Sequence, residues 1–238
     1  MVGIEIKQLH KAFKKNKVLK GIDLKFSEPG IYAVLGPNAS GKTTLIKSTL
    51  GMVIPQKGDI FFMGEDIKKS HLYRKKLSYL PQIARFPENL KVSELFEMIQ
   101  DLRNRKGEID ELVKAFNLDP YLNSKLVNLS GGTKQKVNVV LTFMYDNPVI
   151  ILDEPTTGLD PVALVYLKNL ILKEKEKGKI ILITTHIMQF VEELADEIVF
   201  LLEGKIYFRG TVNNLLEQHG ETKIENAIAK ILINQHNN

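Results

Sequence analysis

Cysteine is absent from all 238 residues, so disulfides, thiolate metal sites and cysteine nucleophiles are excluded and any chemistry must use other groups. Long hydrophobic runs are absent too. The strand-like apolar stretches, such as Val149 to Leu152 and Ile180 to Ile183, are short, whereas a membrane-crossing helix needs about 20 apolar residues. No secretory signal is expected, because the stretch from Met1 to Lys20 carries lysines throughout and has no apolar segment followed by small residues. A cytosolic chain is the expectation. No internal repeat, low-complexity linker, or cluster of histidine or methionine interrupts the sequence.

What is present is 44% hydrophobic and 26% charged sequence, long enough for one large α/β domain with a sizeable core, expected to span residues 1–238. A net charge of +5 could suit nucleic acid or an anionic lipid surface. However, Lys11, Lys14, Lys15, Lys17 and Lys20 alternate with apolar residues instead of forming a block, which reads as a solvated strand face. No nucleic-acid partner is expected.

Ile4 to Phe26 is strand-like, and Gly30 to Leu35 is an apolar strand entering a glycine-bounded turn that continues as helix from Thr43 to Leu50. Val92 to Leu102, Ile109 to Phe116 and Lys134 to Tyr145 have helical spacing, so residues 85 to 147 read as a helical insertion. Val149 to Leu152 and Lys179 to Thr184 flank a helix from about Pro161 to Lys177, the crossover layout of a parallel sheet. Ile198 to Leu202 and Lys205 to Phe208 flank Glu203-Gly204 as a hairpin. Thr211 to His219 and Glu225 to Leu232 form a short helical tail within residues 211–238.

Gly36-Pro37-Asn38-Ala39-Ser40-Gly41-Lys42-Thr43 fits the phosphate-loop pattern and sits between the predicted strand and helix. Its backbone N–H groups would cradle phosphate oxygens, Lys42 would neutralise the β and γ phosphates of ATP or GTP, and the Thr43 hydroxyl would bind Mg²⁺. Thr44 would add a hydrogen bond to the α phosphate. Ala39 is tolerable there if its φ is negative and costs about 1 kcal/mol if positive.

Asp153 and Glu154 end a buried apolar strand, where open α/β sheets hold their ligands. Asp153 can hold Mg²⁺ through water, and Glu154 can polarise the water that attacks the γ phosphate. His186 follows another strand end, expected on the same edge of the sheet, from which it can hydrogen-bond the γ phosphate. His10, His71, His219 and His236 carry no functional expectation.

Leu129-Ser130-Gly131-Gly132-Thr133-Lys134-Gln135 lies just before the acidic strand, and with it the chain resembles the ATP-binding-cassette family of transporter ATPases. The resemblance covers residues 4 to 210, with Phe13, the phosphate loop, Gln82, the signature, Asp153-Glu154, Gly158-Leu159-Asp160 and His186 in the family's order. It implies an α/β fold: a phosphate-loop core with a parallel sheet, an antiparallel β subdomain and the inserted helical subdomain. It also implies that Phe13 stacks on adenine, that Gln82 touches Mg²⁺ or the attacking water, and that Ser130, Gly131 and Gly132 face an ATP held by a second subunit. Two ATP would then be sandwiched in a homodimer, or in a dimer with a related cassette, with Asp160 at its interface. An integral membrane subunit would dock near Gln82, at Ile83, Ala84, Arg85 and Phe86, on the cytoplasmic face.

Three positions depart from the commonest pattern: Thr133 for glutamine, Leu141 for arginine and Ala39 for glycine. The segments from Gly158 to Pro161 and from Ser130 to Gln135 look similar to exporter-type ATPases, including those serving copper-enzyme maturation in nitrous oxide reduction. Soluble family members acting on ribosomes or DNA carry two cassettes or a long coiled-coil insertion, and neither is found here.

Overall fold

A computed structural model describes residues 3–236; residues 1, 2, 237 and 238 of the expected domain lie outside the described residues. In chain order the main elements are β1 (Ile4–Phe13), β2 (Asn16–Phe26), β3 (Gly30–Leu35), α1 (Lys42–Thr49), β4 (Lys57–Phe62), β5 (Glu65–Asp66) and β6 (Leu77–Leu80). There follow α2 (Val92–Arg103), α3 (Asp110–Ala115), α4 (Gly131–Phe143), β7 (Val149–Asp153), α5 (Pro161–Glu176) and β8 (Ile180–Thr184). The chain closes with α6 (Met188–Leu194), β9 (Glu197–Leu202), β10 (Lys205–Gly210), α7 (Val212–His219) and α8 (Ile224–His236). They divide into two compact units, one running to His71 and resuming at Ile180, the other Leu72–Lys179. Among the described residues, no helix is long and apolar enough to cross a membrane.

The first unit holds an antiparallel sheet in the order β2-β1-β4-β5 and, separately, β10-β9-β3-β8. Every residue of β3 and β8 is buried, as parallel strands covered on both faces require, and the two pair with Val34 opposite Thr184. The strand-like stretch from Ile4 to Phe26 folds back on itself at Lys14, whose φ is 54°, to give β1 and β2. Lys14, Lys15, Lys17 and Lys20 are exposed as expected, while Lys11 is half-buried and donates to the Ile54 carbonyl at 2.8 Å. Glu203 and Gly204, at φ 47° and 77°, join β9 to β10, the positive pair that a two-residue hairpin turn favours. Leu215, Ile224, Ala227 and Ile231 of the tail helices pack with Val191 and Phe200 in one core.

In the second unit β6 and β7 are parallel, with Leu80 opposite Leu152. Helix α4 begins at Gly131, three residues before the predicted Lys134, because Ser130 Oγ accepts the Thr133 N–H at 3.1 Å and so caps the first turn. Helix α5 starts in the same way, with Asp160 Oδ1 accepting the Ala163 N–H at 2.9 Å and Pro161 just inside. Helix α8 starts at Ile224 and runs to His236, longer than the spacing predicted.

Beyond the end of α5, Lys179 is only 4% exposed yet charged. Its Nζ meets Asp146 Oδ1 at 2.6 Å and also Glu174, which Lys177 reaches at 2.7 Å. Burying a cation is tolerable only with such partners. Lys179→Met should therefore lower stability by about 3 kcal/mol, seen as a lower urea midpoint at pH 7 with unchanged slope, because Glu174 loses its buried partner. Hydrogen bonding to Lys179, and then its charge, hold the Asp146 carboxyl below its ordinary 3.8. A depressed carboxyl stabilises above its unfolded pKa and ceases to do so as pH falls through the folded one, so the parent should lose this increment below about pH 4 and the variant should not.

Candidate functional site

In the first unit the phosphate loop leaves the end of β3 and runs into α1. Gly36 has φ 151°, and a Cβ there would lie 2.1 Å from the Leu201 carbonyl and 2.7 Å from Ser40 Oγ. Gly41, at φ 113°, would set a Cβ 2.9 Å from Leu19. Side chains at these two positions would break the loop. Ala39 has φ 63°, so the conditional strain of about 1 kcal/mol applies. Asn38 and Ala39 are exposed, Pro37 is half-buried and Ser40 is buried. Lys42 Nζ donates to the Gly36 and Pro37 carbonyls at 2.7 and 3.1 Å, lying back along the loop. Thr43 is exposed and Thr44 half-buried in the first turn of α1.

Phe13, at the end of β1, is 49% exposed, with Lys11 Nζ 4.9 Å from the ring centroid. An exposed aromatic face of this kind can accept a base by stacking. His186 is exposed just beyond β8. Since β3 and β8 are parallel neighbours, the phosphate loop and His186 leave the same edge, as the sequence suggested.

In the second unit the parallel register brings the exposed Gln82, two residues past β6, to the same edge as Asp153 and Glu154. Asp153 is 3% and Glu154 8% exposed, and Glu154 sits at φ 50°, a left-handed conformation costly for a side chain of this kind. The Tyr79 hydroxyl hydrogen-bonds Asp153; burial, and then the charge of Asp153, push its pKa up to about 12, so it stays protonated and donates. Tyr79 escaped the sequence reading. Its place opposite Ile151, two residues before Asp153, was the available signal once the β6–β7 pairing is known.

Helix α4 organises the rest of this unit. Gly132 lies against Gly158, where a Cβ would come 2.7 Å from the Gly158 carbonyl. Gln135 Nε2 donates to the Pro155 carbonyl at 3.4 Å and Asn138 Nδ2 to that of Pro81 at 3.1 Å. Lys136 Nζ pairs with Asp160 Oδ2 at 2.6 Å. That hydrogen bond, then the one from Ala163 N–H, keeps the Asp160 carboxyl below its ordinary value. Sequence reasoning missed Lys136 because a half-buried lysine in the second turn of a helix has no pattern that names its partner. Next to this helix, a cavity of about 360 Å³ is lined by Ala84, Arg85, Phe86, Glu88, Leu126 and Lys134, and Ile83 is 66% exposed.

The loop before α1 suits a phosphate chain. No side chain caps α1, no acid occupies its first turn, and Ser40 Oγ is buried without a partner, so donors remain for an anion. Among the described residues, no group of three or more His, Cys, Asp or Glu could hold a metal by itself. Mg²⁺ characteristically takes one or two protein ligands and completes its shell with phosphate oxygens and water. Each unit by itself offers a side chain of that hard-oxygen type, Thr43 in the first and Asp153 in the second.

Comparison with known proteins agrees with this geometry. The family described as ABC transporter matches residues 19–157. A Pyrococcus furiosus protein assigned to the ABC transporter ATP-binding proteins is 36% identical over 223 residues, 90% of this chain and 85% of that protein. The Nod factor export ATP-binding protein I of a Rhizobium species is 30% identical, over 92% of this chain and 74% of that protein. A solved ATP-binding subunit of an ABC transporter superposes with a TM-score of 0.91 at 28% identity, covering 96% of this chain and 99% of that one. With phosphate loop, signature and acidic strand end all in place, the chain belongs to the ABC transporter family as one of its ATP-binding, ATP-hydrolysing cassettes.

Proposed function

We propose that the chain powers a membrane transporter as half of a dimer, a homodimer or a pair with a related cassette, that sandwiches two ATP and drives a separate membrane subunit from the cytoplasmic side. The observation that carries this reading is the uncapped start of α1, with the unpartnered Ser40 hydroxyl and the Lys42 ammonium gathered in one loop. Phe13 stacks on the adenine. Gly36 to Gly41 wrap the phosphates with backbone N–H groups, Thr44 bonds the α phosphate, and Lys42 swings from its loop carbonyls to the β and γ phosphates. Mg²⁺, when bound with ATP, neutralises charge that develops during phosphoryl transfer. Thr43, and Asp153 through water, would hold it, Gln82 would touch the metal or the attacking water, and Tyr79 fixes the Asp153 carboxylate. Glu154 polarises the water, and His186 donates to the γ phosphate.

Ser130, Gly131 and Gly132 present the start of α4 to the ATP of the second subunit, with Asp160 at the interface. The membrane subunit sets a cytosolic helix into the groove at Ile83 to Phe86, where exposed Ile83 and half-buried Phe86 offer apolar surface beside Gln82. The likeness to a Nod factor export subunit supports an export-type system.

Lys42→Ala should abolish ATP binding or turnover, checked by nucleotide titration and phosphate release, and near-parental turnover overturns its role. Glu154→Gln should retain ATP binding while phosphate release slows by about 10²–10⁴-fold, and an ATP-dependent dimer should accumulate in light scattering. A variant that stays monomeric with saturating Mg²⁺-ATP removes either the role of Glu154 or the sandwich. Phe86→Asp should leave the isolated subunit folded and ATP-binding but lose co-purification with its membrane partner. Unfolding of that variant assigns Phe86 to the core instead, and unchanged co-purification moves the docking surface elsewhere.

A further inference from the structure

The signature departs from the family's commonest form at Thr133, and the side chain standing there touches Ser130 twice. Thr133 is the third residue of α4; its N–H donates to Ser130 Oγ at 3.1 Å, and its own Oγ1 lies 2.8 Å from the same oxygen. Threonine in a helix commonly turns Oγ1 back to a carbonyl three or four residues earlier. Here it meets a hydroxyl instead.

A serine hydroxyl has two lone pairs and one proton. The Ser130–Thr133 pair therefore has two protons, of which their mutual bond consumes one and leaves one for an outside acceptor. When Thr133 donates, its N–H and O–H fill both Ser130 lone pairs, and the remaining proton is that of Ser130, which is exposed. The setting favours a negatively charged acceptor: Gly131 and Gly132 follow without side chains, and no acid lies in the first turn. The helix cap itself does not need the Thr133 hydroxyl, because the N–H alone completes it.

We infer that Thr133 is a positioning residue, holding the Ser130 hydroxyl as a committed donor to the γ-phosphate of ATP bound on a second copy of the chain. The inference rests on the sandwich dimer proposed above.

The test uses the full chain carrying Glu154→Gln, so that hydrolysis does not remove the dimer, and Mg²⁺-ATP as the probe. Thr133→Val removes the hydroxyl and keeps the branched shape; Thr133→Ser restores the hydroxyl alone. Nucleotide affinity at low protein concentration reads the monomer, and light scattering against protein concentration reads the ATP-dependent dimer. Thr133→Val should leave monomer affinity unchanged and raise the dimer dissociation constant by about three- to tenfold, the range of one ordinary hydrogen bond, because Ser130 keeps its proton but loses the donor that orients it. Thr133→Ser should bring it back. An unchanged dimer constant in Thr133→Val, with or without a lower thermal midpoint, overturns the inference and leaves Thr133 a helix-start residue only. Should Thr133→Val fail to fold, Thr133→Ala is read by the same two outcomes. If the Glu154→Gln parent forms no ATP-dependent dimer, the unmutated chain is measured with ATP and no Mg²⁺; a dimer there removes only the role of Glu154 and serves as the parent for the Thr133 variants, and its absence there too removes the sandwich and the inference with it.

Discussion

The close approach of Gly132 to Gly158 is the constraint on which the second unit depends. With a Cβ only 2.7 Å from a carbonyl, any side chain at Gly132 would push α4 away from the segment between β7 and α5. That helix buries polar residues on its inner face: Gln135 is 5%, Asn138 3% and Thr142 3% exposed. Buried amides and hydroxyls must find partners or forfeit their hydration. They find backbone at or just past the strand ends: the loop carbonyls of Pro155 for Gln135 and Pro81 for Asn138, and the Tyr79 carbonyl within β6, at 3.4 Å, as one partner of Thr142. One helix thus fixes the strand ends that carry Gln82 and Glu154, and its own first turn carries the signature. A shift of α4 cannot leave those carbonyls where they are without stranding a buried donor.

Strain is stored at two points within the proposed catalytic machinery. Ala39 and Glu154 both adopt positive φ, at 63° and 50°, although neither is glycine. Such conformations cost on the order of 1–3 kcal/mol each and persist only where surrounding packing dictates them. For Glu154 that packing is a strand buried along its whole length and the Gln135 bond to the next residue's carbonyl. For Ala39 it is a loop run between β3 and α1 in which a side chain at Gly36 or Gly41 would strike Leu201, Ser40 or Leu19. Both residues are held where a relaxed backbone would not put them, so position is fixed before nucleotide arrives.

What was legible in the sequence was local. The phosphate loop announces itself by spacing, the parallel strands by unbroken apolar runs, and the β9–β10 turn by Glu203-Gly204, since each is decided by neighbours in the chain. Even the edge shared by the phosphate loop and His186 follows once β3 and β8 are recognised as parallel. Most losses came where distant residues decide, the local cap of α4 being the exception. The start of α4 was read from apolar spacing and missed the Ser130 cap by three residues. Tyr79 bonds Asp153, and Lys136 bonds Asp160, across separations that no periodicity encodes. The fold-back at Lys14 was invisible because lysine is not a turn residue by type, and only pairing of β1 with β2 forces its φ to 54°.

The two residues expected to face a second subunit differ in what they have left to offer. Asp160 has both oxygens engaged, Oδ1 by the Ala163 N–H and Oδ2 by Lys136, and these contacts keep it ionised to lower pH than a free aspartate. Its charge is matched inside its own chain. Ser130 retains, with Thr133, one proton that no intrachain acceptor takes. In the proposed dimer, then, attraction across the interface comes from the start of α4, whereas Asp160 acts by position: it ties the first turn of α5 to α4 through Lys136. Lys136 sits one turn beyond Gly132, so the first turn of α5 meets α4 beside the Gly132–Gly158 contact. In the proposed dimer the start of α4 and Asp160 are thus linked within the second unit by one ion pair and one glycine contact.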